Sequence, residues 1–280
     1  MRLFWLTVLT LLAFAANSVL TRSALALGQI GPGAFTAIRL ASGAMALFAL
    51  VAVRGETRRY LRRGTPGSAA ALFVYSGAFS YSYVTLDTGI GALILFGGVQ
   101  ITMFAGALYL GERPGPARWL GTTMGMVGLA VLFAPGAKAP DVFGAFLMAA
   151  SAVGWGIYSL RGRSISRPLA TTAANFLLAA PAGVLLWLVF GTGVSLTVPG
   201  FALAVASGAL ASGMGYAIWY AVLPKLDSSL AAIAQLTVPL IALSGGIVFL
   251  GERATWSFAI SSALILGGVA IAVLAKSNRR

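Results

Sequence analysis

Long apolar stretches, each about as long as a bilayer is thick, follow one another along the whole chain. A transmembrane helix needs about 20 mostly apolar residues, and Gly, Pro and charged residues separate the successive stretches. The pattern predicts ten such helices, at approximately 3–23, 33–53, 68–86, 88–110, 116–134, 140–160, 170–190, 200–222, 228–250 and 255–275. No segment is left for a separate soluble domain, so we predict an all-α polytopic membrane protein.

Composition supports the same fold class and limits the chemistry. Of 280 residues, 59% are apolar and 9% are charged, whereas soluble domains have about 45–50% and about 25%. The net charge of +13 comes from short basic clusters between apolar stretches, and not from the basic face that a nucleic-acid partner needs. Since the chain has no His and no Cys, it lacks the usual transition-metal ligands. We therefore expect no enzyme, no catalytic residues, no cofactor and no metal site.

The basic residues also predict an orientation. Arg2 and the small residues around Phe14 are similar to a short signal peptide, but the apolar stretch continues past them, so we interpret it as a retained first helix. Lys and Arg in short loops favour the cytoplasmic side. With the N-terminus inside, most of the 19 Lys and Arg residues lie in cytoplasmic loops, the largest cluster being 54–63. Both termini are therefore expected in the cytoplasm.

The chain contains an internal repeat. Residues 110–113 read Leu-Gly-Glu-Arg and so do residues 250–253, while Leu-Asp-Thr at 86–88 returns as Leu-Asp-Ser at 226–228. Both matches share an offset of 140 in a chain of 280 residues. We predict two repeats, 1–135 and 136–280, each with five helices. Because five is odd, the second repeat enters the membrane from the opposite side, and such inverted repeats are typical of secondary transporters with a site between the halves.

Ten spans in two repeats, each with Leu-Gly-Glu-Arg after its fourth helix and Leu-Asp-[Thr/Ser] before it, resemble the EamA family of the drug/metabolite transporter superfamily. The resemblance implies a bacterial inner-membrane exporter of metabolites, often amino acids. It also implies a central cavity formed by the first four helices of each half, with the fifth and tenth helices packed to the side. We expect a monomer, surrounded by membrane lipid, that exports small molecules by alternating access, neutral or aromatic amino acids above all.

Other functions remain open from the sequence. An exporter of cationic drugs or of nucleotide-precursor metabolites, a non-saturable channel, and a membrane scaffold without transport all fit ten helices. All six acidic residues lie in loops or at span ends, which argues against a fixed cation site inside the membrane. Proton-coupled transporters usually carry acids or His inside the membrane. We therefore hypothesise transport down the gradient of the substrate itself.

Four of these acids have predicted structural roles. Asp87 and Asp227 precede helices four and nine, where a carboxylate can accept hydrogen bonds from free backbone N–H groups. Glu112 and Glu252 follow a glycine suited to ending a helix, and we expect them to fix the turn to the next helix. A substrate role is the alternative for the two aspartates, and catalysis or gating is the alternative for the two glutamates.

Arg39 is the one charged residue well inside a predicted span, roughly 9 Å from its outer end. Two roles remain open for it. The side chain can extend to the interface as an anchor, or its guanidinium can bind a substrate carboxylate through two hydrogen bonds.

Aromatic and amide residues inside the spans complete the candidate site. Aromatic rings recur on one face of helix three and again on helices six and eight, where they either line a cavity or only pack. Buried amides need hydrogen-bond partners, from another helix or from a ligand. The predicted substrate-binding residues are Asn17, Arg39, Tyr75, Phe79, Tyr83, Gln100, Trp155, Tyr158, Tyr216, Trp219 and Gln235. In contrast, Gly121, Gly125 and Gly128 are expected to serve close helix packing.

Overall fold

In the computed structural model the chain is entirely helical and irregular, without strands, over the residues that the structure describes. These are residues 1–26, 28–57, 60–86, 88–133, 141–191, 196–241, 244 and 256–274. We label ten helical spans in chain order: α1 (Arg2–Ala26), α2 (Pro32–Val53), α3 (Pro66–Ser82), α4 (Thr88–Tyr109), α5 (Pro116–Phe133), α6 (Val142–Gly162), α7 (Pro168–Phe190), α8 (Val198–Lys225), α9 (Ser228–Gln235) and α10 (Trp256–Leu274).

Six helices in the described part of the chain are long and apolar enough to cross a membrane. They are Arg2–Leu25, Pro32–Val53, Val142–Gly162, Pro168–Phe190, Val198–Lys225 and Trp256–Leu274. Each of the ten spans overlaps one of the predicted stretches, which confirms an all-α, multi-pass membrane protein. Three spans begin one or two residues earlier than predicted, because a proline opens them at the first turn, where its missing N–H costs nothing. Pro32, Pro66 and Pro168 occupy these positions, and Pro116 opens α5 at the predicted residue.

Glycine permits the closest helix contacts. A Cβ atom on Gly121 would lie 2.5 Å from the carbonyl oxygen of Gly268 in α10, and one on Gly128 would lie 2.7 Å from the Ile265 side chain. α5 and α10 therefore pack backbone to backbone, which confirms the predicted packing face. α2 approaches α7 in the same way, since a Cβ on Gly43 would lie 2.5 Å from the Phe176 ring.

Two interruptions of regular helix lie next to the middle of the bundle. Within α8, residues Ser207–Met214 form a π-helical segment between α-helical ends. α9 stops at Gln235, and a turn at 236–237 separates it from further helical residues at 238–241. Pro239 accounts for the second break, because it has no N–H to donate to the carbonyl of Gln235. The remainder of the predicted ninth span lies outside the described residues.

Loops with many basic residues meet at one end of the bundle, which we call the basic end and define as residues 54–57, 60–65, 111–118, 161–167 and 225–229. An ion pair links Arg167 to Glu56 at 3.9 Å. Arg163 donates to Ser228 Oγ at 2.7 Å. At the other end, Thr197 N–H donates to the Gln29 carbonyl at 3.0 Å. The loops that share an end in the structure are those that the charge pattern assigns to one side of the membrane.

Glu112 is positioned by the glycine turn that ends α4. Gly111 has a φ of 81°, and its N–H donates to the Leu108 carbonyl at 3.0 Å while Glu112 N–H donates to the Ala107 carbonyl at 2.9 Å. This is the Schellman arrangement, which favours glycine because of the left-handed φ. The chain reverses there, so that the Glu112 side chain extends away from its own helix.

The Glu112 carboxylate caps α9, a helix of the other half. It accepts hydrogen bonds from the backbone N–H groups of Ser228 (2.9 Å) and Ser229 (3.3 Å). The predicted cap was wrong here, because the Asp227 side chain makes no capping hydrogen bond and pairs with Arg118 instead. Arg118 also binds Glu112 at 2.9 Å. Glu112 thus does more than fix its own turn; Asp87 and Glu252, the corresponding acids, lie outside the described residues.

Candidate functional site

Arg39 lies inside the helix bundle and not at its surface. α2 can bring this side chain close to α8 because Gly208, on the π-helical segment, has no Cβ to contact the Arg39 carbonyl and the Ser42 hydroxyl. The Arg39 side chain is fully buried, with 0% of its surface exposed. The interpretation as an anchor that extends to the interface was therefore wrong.

Hydroxyl groups from three positions surround the Arg39 guanidinium. Nε donates to Ser212 Oγ at 2.9 Å. Nη2 donates to Tyr216 Oη at 2.6 Å and to Tyr75 Oη at 3.2 Å, and the two tyrosine hydroxyls lie 3.1 Å apart. The cation also lies against the rings of Tyr75 and Phe79, with centroids 5.2 and 5.8 Å away. α2, α3 and α8 are joined at this point.

The positive charge of Arg39 has no internal counter-charge in the described part of the chain. The ion pairs found there are those of Arg118 and Arg167, both at the basic end. Its Nη1 is buried without a hydrogen-bond partner among the described residues. Burying an ion costs several kcal/mol per group even after the protein relaxes, of the order of 5, and neutral hydroxyls compensate for only part of that. A site with an unused donor on a buried cation is suited to an anionic ligand group.

Next to Arg39, aromatic rings from α1, α3, α6 and α8 form one cluster. The Trp155 ring lies 4.6 Å from that of Tyr216 and 4.9 Å from that of Tyr75. Phe14 contacts Trp155, Tyr216 and Trp219 edge to face, at 5.0, 5.7 and 5.6 Å. Rings meeting at such angles pair the positive edge of one with the negative face of another. We call Phe14, Tyr75, Phe79, Trp155 and Tyr216 the aromatic cluster.

A narrow cavity opens beside this cluster. Its volume is about 20 Å³, which is room for about one water molecule. The lining residues come from both halves of the chain: Phe14, Ser18, Tyr75, Phe79, Leu95, Phe96, Val99, Trp155 and Gln235. Arg39 does not line the cavity, but it contacts the rings of Tyr75 and Phe79, which do. A ligand of amino-acid size is larger than this cavity, so its binding requires the rings to move apart.

Two candidate amides border the cluster, and the carbonyl oxygen of each is already engaged. Asn17 Oδ1 accepts from Ser207 Oγ at 2.6 Å and from Ser212 Oγ at 3.4 Å. Gln235 Oε1 accepts from the indole N–H of Trp155 at 2.6 Å. Asn17 thus holds the π-helical segment in place, while Gln235 fixes the orientation of the Trp155 ring.

The remaining candidates lie further out. Tyr158 stacks on Tyr220 at 4.7 Å, and the Trp219 indole N–H donates to Ser159 Oγ at 3.1 Å. Tyr83 reaches the cluster only through Phe79, at 4.9 Å. Gln100 faces away and donates to Thr122 of α5 at 3.1 Å. The structure thus brings Asn17, Arg39, Tyr75, Phe79, Trp155, Tyr216 and Gln235 together, with Tyr158 and Trp219 behind them, and leaves Tyr83 and Gln100 apart.

Seven contributors were absent from the prediction: Phe14, Ser207 and Ser212, and the cavity-lining residues Ser18, Leu95, Phe96 and Val99. Phe14 was considered only as part of a possible cleavage site. Ser207 and Ser212 were missed because small residues give little indication of their role, although Ser-Gly occurs at 207–208 and again at 212–213. A spacing of five matches the i to i+5 hydrogen bonds of a π-helix, and this spacing is the signal that could have found them.

The sequence of the chain can be compared with those of known protein families. The sequence matches the EamA-like transporter family twice, over residues 2–134 and 142–274. The chain belongs to this family. Each match covers one half of this chain, as the internal repeat in the sequence does. The family consists of membrane transporters.

Individual relatives extend over nearly the whole chain. An uncharacterised protein of Pseudomonas aeruginosa is 46% identical over 99% of this chain and 96% of its own length. The aromatic amino acid exporter YddG of Ancylobacter novellus is 27% identical over 95% of this chain and 96% of its own. A crystal structure with 23% identity superposes with a TM-score of 0.83, covering 98% of this chain and 97% of the other. That structural likeness shows a shared fold.

Proposed function

We propose that this EamA-like transporter exports neutral amino acids, aromatic ones among them, across the inner membrane of a bacterium. The observation that carries the proposal is the buried Arg39 guanidinium, with an unused donor, next to the aromatic cluster. Together they offer an anion-binding group and a surface for an apolar ring. The 27% identity to an aromatic amino acid exporter supports the same substrate class.

Alternating access accounts for the position of the site between the halves. The cavity is lined from the first half by residues such as Tyr75 and Leu95, and from the second by Trp155 and Gln235. A site at the interface of two inverted repeats can open to either side when one half rocks against the other. The closely packed rings of the present conformation correspond to a state in which the passage is constricted.

The basic end is proposed to face the cytoplasm, with both termini on the same side. It carries the contacts of Arg118, Arg161, Arg163 and Arg167, and positive residues favour the cytoplasmic side. The protein is proposed to act as a monomer, since the candidate site is built from residues of one chain. Cysteine substitutions in loops 54–57 and 28–31, labelled from either side of intact cells, test the orientation.

Counterflow in proteoliposomes tests the proposed transport. Vesicles loaded with unlabelled phenylalanine are expected to take up labelled phenylalanine transiently and in a saturable way. A channel would show uptake without counterflow or saturation. Absence of saturable exchange for every neutral amino acid tried would contradict the proposal.

Transport down the substrate gradient is proposed for the same site. None of the described acids lies among the residues around Arg39; they lie at helix ends. Imposing a pH gradient across the same vesicles is expected to leave the final phenylalanine distribution equal on both sides. Sustained accumulation driven by the pH gradient would contradict uncoupled transport.

A further inference from the structure

The site offers a partner for a carboxylate but none for an ammonium group. On the anion side, the Arg39 guanidinium has an unpaired Nη1 and three hydroxyl contacts that a carboxylate oxygen can replace. A guanidinium binds a carboxylate through parallel, charge-assisted hydrogen bonds. On the cation side, no Asp or Glu in the described part of the chain contacts any residue of the aromatic cluster.

The amide oxygens near the cluster already accept hydrogen bonds. Asn17 Oδ1 accepts from two serine hydroxyls, and Gln235 Oε1 accepts from Trp155. One face of the Tyr75 ring and one face of the Phe79 ring are already in contact with the Arg39 cation. An ammonium group placed here would also be repelled by Arg39, because two like charges in a medium of low dielectric interact strongly.

We propose that the site recognises its substrates as apolar or aromatic monocarboxylates, and that the α-ammonium group of an amino acid contributes little to binding. This inference rests on the proposed function for the location of the site, and it specifies which group of the substrate the site binds. Carboxylates without an amino group, such as aryl-substituted propionates and the corresponding 2-oxo acids, are then substrates alongside the amino acids. Aryl amines without a carboxylate are not.

Three ligands that share one phenyl ring separate the two charged groups. Phenylalanine has both, 3-phenylpropionate keeps only the carboxylate, and phenethylamine keeps only the ammonium. Binding to the detergent-solubilised full-length protein is measured by intrinsic tryptophan fluorescence, which Trp155 in the cluster makes sensitive to the site. Inhibition of labelled phenylalanine counterflow is measured in parallel in proteoliposomes.

We expect 3-phenylpropionate to bind within about 3-fold of phenylalanine and phenethylamine to bind at least ~10-fold more weakly, as the loss of a charge-assisted pair implies. Phenethylamine binding as tightly as 3-phenylpropionate would overturn the inference. If phenylalanine is not exchanged but 3-phenylpropionate binds and phenethylamine does not, the proposed amino acid export fails while the carboxylate site stands. These wild-type measurements decide the matter whether or not any variant folds.

Arg39→Lys then tests which residue is responsible. Lysine keeps the charge but has no planar pair of donors, so 3-phenylpropionate affinity is expected to fall ~10-fold, with no change for phenethylamine. Arg118→Lys is the matched control, another arginine with limited exposure in this chain, and the affinity ratio of the two ligands should stay as in wild type. An unchanged ratio in a folded Arg39→Lys protein would overturn the assignment to Arg39.

Discussion

Two arginines with little exposure to solvent show opposite ways of holding a positive charge. Arg118, at the basic end, is 12% exposed and pairs with the carboxylates of Glu112 and Asp227. Arg39, two turns into α2, is fully buried and has only hydroxyl groups as hydrogen-bond partners among the described residues. At the end of the bundle the chain neutralises its own charge, whereas inside the bundle it leaves the charge without a counter-charge. The first arrangement stabilises the fold; the second lowers stability, and in the proposed function it serves to bind a carboxylate.

A carboxylate introduced next to Arg39 tests the contrast between the two arginines. Ser212→Asp places an acid where Nε now donates to a hydroxyl at 2.9 Å. We expect phenylalanine counterflow to fall ~100-fold, because an internal ion pair with charge-assisted bonds competes with the substrate carboxylate. Thermal stability should stay the same or rise, since the buried cation gains a partner.

Ser212→Asn is the control for size without charge. It is expected to keep most of the counterflow activity and the wild-type melting temperature within a few degrees. If Ser212→Asp transports as well as wild type, then the charge of Arg39 is not used for binding, and the contrast with Arg118 loses its functional meaning.

Glu112→Gln tests the ion pair and the helix cap at the basic end. This change removes one of the two anions of Arg118 and weakens the acceptor for Ser228 and Ser229. Since partial exposure screens the pair, we expect a loss of about 2 kcal/mol of stability, between that of a helix cap and that of a fully buried ion pair. Thermal unfolding in detergent measures it. The preference between 3-phenylpropionate and phenethylamine should not change.

Arg113→Gln is the matched control, since Arg113 follows Glu112 in the same turn and is exposed. Its melting temperature should equal that of wild type. A Glu112→Gln protein as stable as this control would show that the cap on α9 contributes nothing.

The smallest effect is expected at Gln100. Its Nε2 bonds Thr122 and its Oε1 is buried without a partner among the described residues, away from the aromatic cluster. Gln100→Leu installs the residue found at the equivalent position 240. Counterflow should stay within about 2-fold of wild type and stability within ~1 kcal/mol, because a single neutral hydrogen bond contributes about that much. A large loss of transport would place Gln100 in the substrate path after all.

The helical spans and the internal repeat could be predicted from the sequence, because apolar stretches and a motif repeated at a fixed offset can be read directly from it. The position of Arg39 within a helical span was also predictable, but its burial was not. Whether a long side chain turns towards the interface or the interior depends on Gly208, 169 positions later, which lets the two backbones approach.

The capping assignment of Asp227 failed for a related physical reason. From local sequence, Asp227 is the natural N-cap of α9, as a short carboxylate just before the helix. In the fold the Asp227 carboxylate pairs with the Arg118 guanidinium instead. The Glu112 carboxylate, which follows α4, accepts the hydrogen bond from the first turn of α9. Non-local contacts of this kind leave no periodic signal in the sequence.

The brevity of α9 has a mechanical consequence. At eight residues, it is about 12 Å long. Its first turn is held by Glu112 from the other half, and its last residue, Gln235, holds the Trp155 ring in the cavity wall. A short helix that is held at both ends transmits a displacement along its axis. A shift of the Glu112 turn after α4 would therefore move the Trp155 ring, which the proposed ligand contacts.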